Sequence, residues 1–111
     1  MRWNTMLAAA ASLAAAALPA AAQDKDKDKD KDALYLRSLA ATCANCHGTQ
    51  GKAQPGSSVA SLAGMPAEQL TAQMAAFKAG TRSATIMHQL AKGYSDAQIA
   101  QLAAYFAAQS K

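Results

Sequence analysis

The sequence predicts a small all-α domain. Apolar residues recur at spacings of three and four, no run alternates apolar and polar side chains as a strand does, and helix-start and helix-stop residues flank the periodic segments. This domain occupies residues 33–111, a length that suits a single hydrophobic core. Residues 1–22 and 23–32 precede it and differ from it in composition.

Residues 1–22 predict a cleaved signal peptide. A positive charge at Arg2 is followed by an apolar run over residues 6–18, and alanines up to Ala22 provide the cleavage site. The apolar run is shorter than the ~20 residues that cross a bilayer as a helix. We therefore expect cleavage after Ala22 rather than an uncleaved anchor, and no membrane span in the mature chain. Export places the protein in an oxidising compartment, most simply a bacterial periplasm.

Residues 23–32 form a charged segment in which Asp and Lys alternate. Residues 24–32 hold five acids and four bases and no apolar side chain. Because nothing there can be buried to offset the conformational entropy lost on ordering, we expect a solvated flexible spacer. The alternative is a tether or docking arm for a partner, although the tract has a formal charge of only minus one.

The first predicted helix of the domain covers residues 33–43. Its apolar face carries Leu36, Leu39 and Ala40. Residues 49–58 are predicted as a loop from their Gly and Pro content, and residues 59–64 as a short helical turn.

Two longer helices are predicted further along. Pro66 suits the first helical position of a helix over residues 67–78, which ends before Gly80. Its apolar face carries Leu70, Met74 and Phe77. Residues 85–92 predict a short helical or irregular segment. Ser95 and Gln98 then form a capping box for a helix over residues 96–109. The apolar stripe of that helix consists of Ile99, Leu102, Ala103 and Phe106.

The strongest chemical signal is C-x-x-C-H, formed by Cys43, Cys46 and His47. This spacing is the attachment signature of a c-type haem, because one turn of backbone sets two sulfurs at the separation of the haem vinyl groups and brings an imidazole under the iron. The rival interpretations are a structural disulfide, a thioredoxin-like redox pair and half of a zinc site. A zinc site would need further soft ligands, and the sequence has no other cysteine and only one other histidine, His88. A thioredoxin-like pair lacks the alternating strands and helices. The sequence therefore predicts one covalently attached haem c.

A haem bound through one histidine needs a second axial ligand. The downstream candidates are Met65, Met74, Met87 and His88. Met74 lies on an apolar stripe, so we expect it to fill the core. Met65 follows His47 too closely for the chain to pass easily round the haem edge. Met87 lies forty residues after His47, and we assign it as the thioether ligand. His88 is the competitor, otherwise expected to be an exposed polar neighbour.

The charge of the domain bears on its partners. Residues 33–111 hold six basic and two acidic side chains, a formal charge of plus four. Few aromatic residues and no dense basic stripe accompany these charges, which argues against nucleic-acid binding. We expect a mildly basic rim for an acidic redox protein. The candidate rim residues are Lys52, Lys78, Arg82 and Lys92.

Besides the motif, several phrases stand out: Leu-Ala-Gly at 62–64, Phe-Lys-Ala-Gly-Thr-Arg at 77–82, Ala-Thr-Ile-Met at 84–87, Ala-Lys-Gly-Tyr-Ser-Asp at 91–96, Ile-Ala at 99–100 and Tyr-Phe at 105–106. Over residues 39–109 the sequence resembles small bacterial class I cytochromes c, and among them the cytochrome subunit of flavocytochrome c sulfide dehydrogenase. The resemblance implies the class I fold, with first and last helices crossing near a largely enclosed haem. It also implies thioether attachment at Cys43 and Cys46, His47 as proximal ligand and Met87 as distal ligand.

Three features depart from that family. The loop reads Pro55-Gly56 where members have Gly-Pro, which leaves open the carbonyl that accepts a hydrogen bond from His47. His88 stands where members have a small residue. The chain has room for one haem domain, whereas sulfide dehydrogenase cytochrome subunits carry two.

These features together predict a periplasmic mono-haem c-type cytochrome. It transfers single electrons and is not itself an enzyme, because binding, potential and exposure of the haem are all that the protein supplies. The resemblance implies a sulfide-oxidising flavoprotein as donor. The alternatives are a free diffusible carrier for a terminal oxidase or another dehydrogenase, and a haem sensor or small peroxidase, which would need an open sixth iron site.

Overall fold

The computed structural model describes residues 21–111, and all regular structure within them is helical, as the sequence predicted. The five α-helices are α1 (Ala21–Ala41), α2 (Ala44–His47), α3 (Ala67–Ala79), α4 (Met87–Leu90) and α5 (Asp96–Ala107). Short 3-10 turns cover Thr49–Gly51 and Ala91–Gly93. Most of the predicted signal peptide, residues 1–20, lies outside the described residues, so cleavage after Ala22 stays a prediction.

Helix α1 begins twelve residues before the predicted start and contains the charged tract. In a helix, strict alternation of Asp and Lys places opposite charges three residues apart and like charges four apart. The attractive pairs form: Lys29 Nζ lies 4.0 Å from Asp26 Oδ1, and Lys31 Nζ lies 3.3 Å from Asp28 Oδ1. Residues 25–32 are all exposed, so no tertiary contact of theirs supports the helix. The helical geometry differs from the expected flexible conformation, and the boundary at residue 32 and the spacer role stay predictions.

The core lies where α1, α3 and α5 meet. Its buried members are Ala40, Leu70, Leu102, Ala103 and Phe106. Helix α5 packs against both α3 and α1, so the first and last helices are in contact. The apolar stripe predicted for α5 is confirmed, because all four of its residues are buried.

Helix α5 begins with the capping box that the sequence predicted. The Ser95 hydroxyl accepts from the backbone N–H of Gln98 at 3.1 Å, and Gln98 Oε1 accepts from the backbone N–H of Ser95 at 2.9 Å. The other end of the same amide, Gln98 Nε2, donates to the hydroxyl of Tyr35 at 2.8 Å. One side chain therefore caps α5 and ties it to α1.

Helix α3 has nearly its predicted extent. Pro66 is its N-cap rather than its first residue, and the helix ends at Ala79 with Gly80 in the left-handed conformation (φ 75°). The guanidinium of Arg82 then lies 4.7 Å from the centroid of the Phe77 ring. Within residues 21–111, no helix has both the length and the apolar character that crossing a membrane requires.

Candidate haem site

The C-x-x-C-H segment forms one helical turn directly after α1. Cys43 has right-handed helical angles (φ −78°, ψ −22°), and its carbonyl oxygen accepts from the backbone N–H of His47 at 2.9 Å. Residues three and four apart are neighbours on a helix surface, so Cys46 and His47 lie on either side of Cys43 around this turn. Gly48 (φ 84°) ends the turn, where a Cβ would overlap the carbonyl oxygen of Lys52.

The two cysteines are not joined to each other in this structure; Cys43 is half-buried and Cys46 is exposed. Burial raises the pKa of the Cys43 thiol. A raised pKa leaves less of the reactive thiolate at neutral pH. Within residues 21–111, no three His, Cys, Asp or Glu side chains converge on a metal-sized site, so the zinc interpretation has no support there.

A backbone carbonyl orients the half-buried ring of His47. Its Nδ1 lies 2.6 Å from the carbonyl oxygen of Ala60. Since a carbonyl oxygen only accepts, Nδ1 carries the proton and Nε2 presents a lone pair. This is the arrangement of a metal-ligating histidine whose second nitrogen is held by a neighbouring group. The Pro55-Gly56 order left open which backbone carbonyl accepts a hydrogen bond from His47. The structure shows that it is the carbonyl of Ala60.

The loop that carries Ala60 is folded back onto the motif through Gly51. This glycine has a left-handed backbone (φ 78°), and a Cβ there would lie 2.7 Å from Cδ1 of Phe106. Its carbonyl oxygen accepts from the Ser61 hydroxyl at 2.8 Å and from the backbone N–H of Leu62 at 2.8 Å. The residues directly after Ala60 are thus tied to the residues directly after His47. Residues 59–64 form this loop and a turn at residues 63–64 rather than the predicted short turn of helix.

The three downstream methionines have different surroundings. Met65 and Met74 pack against the buried core cluster. Met87 does not pack against that cluster and is the half-buried first residue of α4. Two methionine side chains therefore fill the core, and the third is placed outside it.

His88 is half-buried, which corrects the expectation of an exposed polar neighbour. Its Nδ1 is buried and has no hydrogen-bond partner among the described residues. Consecutive residues of an α-helix point about 100° apart, so Met87 and His88 face different directions. The two side chains cannot serve the same coordination position without a rotation of α4.

The surroundings of Met87 suit an apolar group. Ile86 and Leu90 flank it and are 53% and 45% exposed, high values for large aliphatic side chains. Two free thiols on one turn, an imidazole with its Nε2 lone pair available and a thioether outside the core form a donor set that fits haem c.

These features define a class of protein, the small haem-binding proteins of the c type. The family model for cytochrome c matches residues 36–110, and the chain belongs to the cytochrome c family. Its helical fold is that of a class I cytochrome c, and its cofactor is a covalently attached haem c.

Two curated relatives are similar to this chain. It is 38% identical over 73 residues to the cytochrome subunit of sulfide dehydrogenase from Chlorobaculum tepidum, covering 66% of this chain and 64% of the relative. It is 39% identical over 67 residues to the thiosulfate dehydrogenase electron acceptor from Thiomonas intermedia, covering 60% of this chain and 31% of the relative. The match thus spans less than two thirds of either relative. The family match indicates an electron-transfer protein, and the two relatives are by name a cytochrome subunit of one dehydrogenase and the electron acceptor of another.

Sequence reasoning missed a polar network at the end of α3. Lys78, considered above for a docking rim, is half-buried and donates to the Tyr94 carbonyl oxygen at 2.8 Å and to Asp96 Oδ1 at 2.9 Å. The hydroxyl of Tyr94 lies 2.9 Å from Oγ1 of Thr42. Nothing in the spacing of these residues signals the contacts, because they join positions far apart in the chain.

Proposed function

We propose that this protein is an exported, periplasmic mono-haem carrier that accepts single electrons from a sulfide-oxidising flavoprotein. Cys43 and Cys46 hold the haem through thioethers, and His47 and Met87 are the axial ligands. The single observation that carries the proposal is the 2.6 Å contact from Nδ1 of His47, the proximal ligand, to the carbonyl oxygen of Ala60. It leaves Nε2 as the ligating nitrogen and fixes the ring plane.

The bound haem supplies a one-electron couple, and the chain sets its properties. A methionine opposite a histidine raises the reduction potential relative to two histidines, which suits a carrier that takes electrons from a flavin. Met65 and Met74 are occupied in the core, which supports Met87 in this role. Because consecutive side chains of a helix point about 100° apart, only one of Met87 and His88 can reach the iron, and we assign Met87.

The proposed partner is an acidic protein surface. The exposed bases Arg82 and Lys92 lie on either side of α4 in sequence, and the exposed apolar residues Ile86 and Leu90 lie within or next to it. An apolar contact with a basic rim suits a small, short-lived electron-transfer encounter. The similarity to a cytochrome subunit of sulfide dehydrogenase supports a sulfide dehydrogenase as this partner.

The alternative is a free diffusible carrier for a terminal oxidase or another dehydrogenase. The similarity to a thiosulfate dehydrogenase electron acceptor favours the second of these. Both functions use the same haem site and differ only in the donor. A sensor or small peroxidase instead needs an iron that binds carbon monoxide in the unmutated ferrous protein, which the Met87 ligand opposes.

Stopped-flow reduction of the mature holoprotein separates the donors. We expect rapid haem reduction by a sulfide-oxidising flavoprotein with sulfide, slowing as ionic strength rises because basic side chains steer the encounter. Lys92→Glu should slow it further, whereas Lys27→Glu, the same charge change in the tract, should not. Faster reduction by a thiosulfate dehydrogenase with thiosulfate would transfer the assignment to the alternative.

The predicted export has its own test. The holoprotein recovered from the periplasm should have the mass of residues 23–111 plus one haem, since we propose cleavage after Ala22. A full-length mass, or recovery with the membrane fraction, would contradict it.

A further inference from the structure

Tyr94 connects the two segments that carry the proposed haem ligands. It comes directly after the 3-10 turn Ala91–Gly93, which itself comes directly after α4, so its backbone continues the segment of Met87. Its ring packs against the core cluster, and its hydroxyl lies 2.9 Å from Oγ1 of Thr42, the residue before Cys43. A single hydrogen bond thus joins the Met87 segment to the cysteine turn, across 52 residues of sequence.

Tyr94 is the donor of this hydrogen bond, because the only hydroxyl hydrogen of Thr42 is used elsewhere. Thr42 has one hydroxyl hydrogen, and its Oγ1 lies 2.7 Å from the carbonyl oxygen of Leu39, which only accepts. Thr42 therefore donates to Leu39 and accepts from Tyr94. As a result, Tyr94→Phe removes the link while leaving the bond from Thr42 to Leu39 in place.

The backbone of Tyr94 is held separately. Its carbonyl oxygen accepts from Lys78 Nζ at 2.8 Å, and the same ammonium lies 2.9 Å from Oδ1 of Asp96, the first residue of α5. Hydrogen bonds from a charged donor are stronger than neutral ones. The main chain at Tyr94 is therefore anchored to α3 and α5, which gives its hydroxyl a fixed point from which to hold Thr42.

Helix α4 is short and lacks a side-chain cap, so its own hydrogen bonds hold Met87 only weakly. It is four residues long, and its N-cap residue Ile86 makes no side-chain capping hydrogen bond. It packs against α3 on one side, and C-terminal to it Tyr94 is the nearest residue with a hydrogen bond to the cysteine turn.

We propose that Tyr94 is a positioning residue for the haem ligands. Through its hydrogen bond to Thr42 it holds the segment of Met87 at a set distance from the turn of Cys43. The inference rests on the ligand set of the proposed function. Without the bond, Met87 leaves the iron more readily, although it remains the ligand at rest.

The test is displacement of Met87 by imidazole in the ferric holoprotein, followed by loss of the methionine-to-iron charge-transfer band. Tyr94→Phe should bind imidazole about fivefold more tightly, the factor that corresponds to about 1 kcal/mol for one hydrogen bond. Thr42→Val should have the same effect, and the double variant should add nothing to it. Thr42→Ser keeps the acceptor and should restore the original affinity.

The matched control is Tyr35→Phe. It also removes a tyrosine hydroxyl that joins distant segments, the acceptor of the 2.8 Å bond from Gln98, but it does not touch the segment of Met87. Both tyrosine variants should lower the melting temperature, and only Tyr94→Phe should tighten imidazole binding. Equal imidazole affinities in the two variants, or additive effects of Tyr94→Phe and Thr42→Val, would overturn the inference.

The unmutated protein separates this inference from the proposed function. If its charge-transfer band is absent, or persists in Met87→Ala, the ligand assignment fails and the inference fails with it. If the band is present and is lost in Met87→Ala while Tyr94→Phe binds imidazole like Tyr35→Phe, the inference alone fails.

Discussion

The Nδ1 atom of His47 lies 2.6 Å from the carbonyl oxygen of Ala60, thirteen residues further along the chain. The motif places the imidazole, but a separate loop decides how its ring is turned and which nitrogen carries the proton. The orientation of the His47 ring therefore depends on how closely that loop packs against the motif.

Gly51→Ala should open this loop. The added Cβ would need a left-handed backbone and would lie 2.7 Å from Cδ1 of Phe106 and 2.9 Å from Cβ of Leu62. We expect a loss of about 3 kcal/mol in the free energy of unfolding, measured by guanidinium denaturation of the holoprotein. Gly93→Ala is the control, because nothing lies within 4 Å of a Cβ there and φ is not left-handed. Similar losses in both variants would contradict the packing described for Gly51.

Met87→Ala should abolish the methionine-to-iron charge-transfer band and lower the reduction potential, because the thioether ligand is lost. Met74→Ala is the matched control. Its side chain packs against the core, so it should keep the band while costing about 2 kcal/mol of stability. Absorption spectra and potentiometric titration make both measurements. Absence of the band from the unmutated ferric protein, with a spectrum that changes in His88→Ala but not in Met87→Ala, would make His88 the ligand.

Lys78→Met should destabilise the protein by about 2 kcal/mol. The substitution keeps the packed stem but leaves the Tyr94 carbonyl oxygen without its charged donor. Asp96→Asn removes only the other partner, whose side chain is 96% exposed, and should cost less than about 1 kcal/mol. Thermal unfolding followed by circular dichroism compares the two variants. Equal costs would mean that the ion pair, rather than the carbonyl contact, matters at this position.

Deletion of residues 23–32 from the mature holoprotein should change the free energy of unfolding by less than about 0.5 kcal/mol, because residues 25–32 are exposed and bury nothing. Its circular dichroism should show fewer helical residues. Leu39→Ala, in the same helix but packed against the core, should instead cost about 2 kcal/mol. A large loss on deletion would show that the tract contacts the domain.

The features that could be predicted from the sequence are those that depend on one turn of chain. The capping box of Ser95 and Gln98 and the buried stripe of α5 follow from spacing alone. The start of α1 could not be predicted from spacing. In the Asp/Lys tract, attraction between opposite charges three residues apart nearly cancels repulsion between like charges four residues apart.

Two parts of the site could not be predicted for a different reason. Any residue type supplies a backbone carbonyl, so nothing marks Ala60 as the acceptor for His47. The bond from Tyr94 to Thr42 joins common residue types across 52 positions, and only the packing of the helices brings them together.

The amide of Gln98 also sets an order of events in folding. It caps the last helix and reaches Tyr35 in the first helix, 63 residues earlier. A contact of such separation cannot form until the chain has been delivered almost to its end, and long-range closure of this kind is a slow step. The cysteine turn lies between the two helices, so it stays accessible from the unclosed side until then. We therefore expect haem attachment to precede the closure of the core by the last helix.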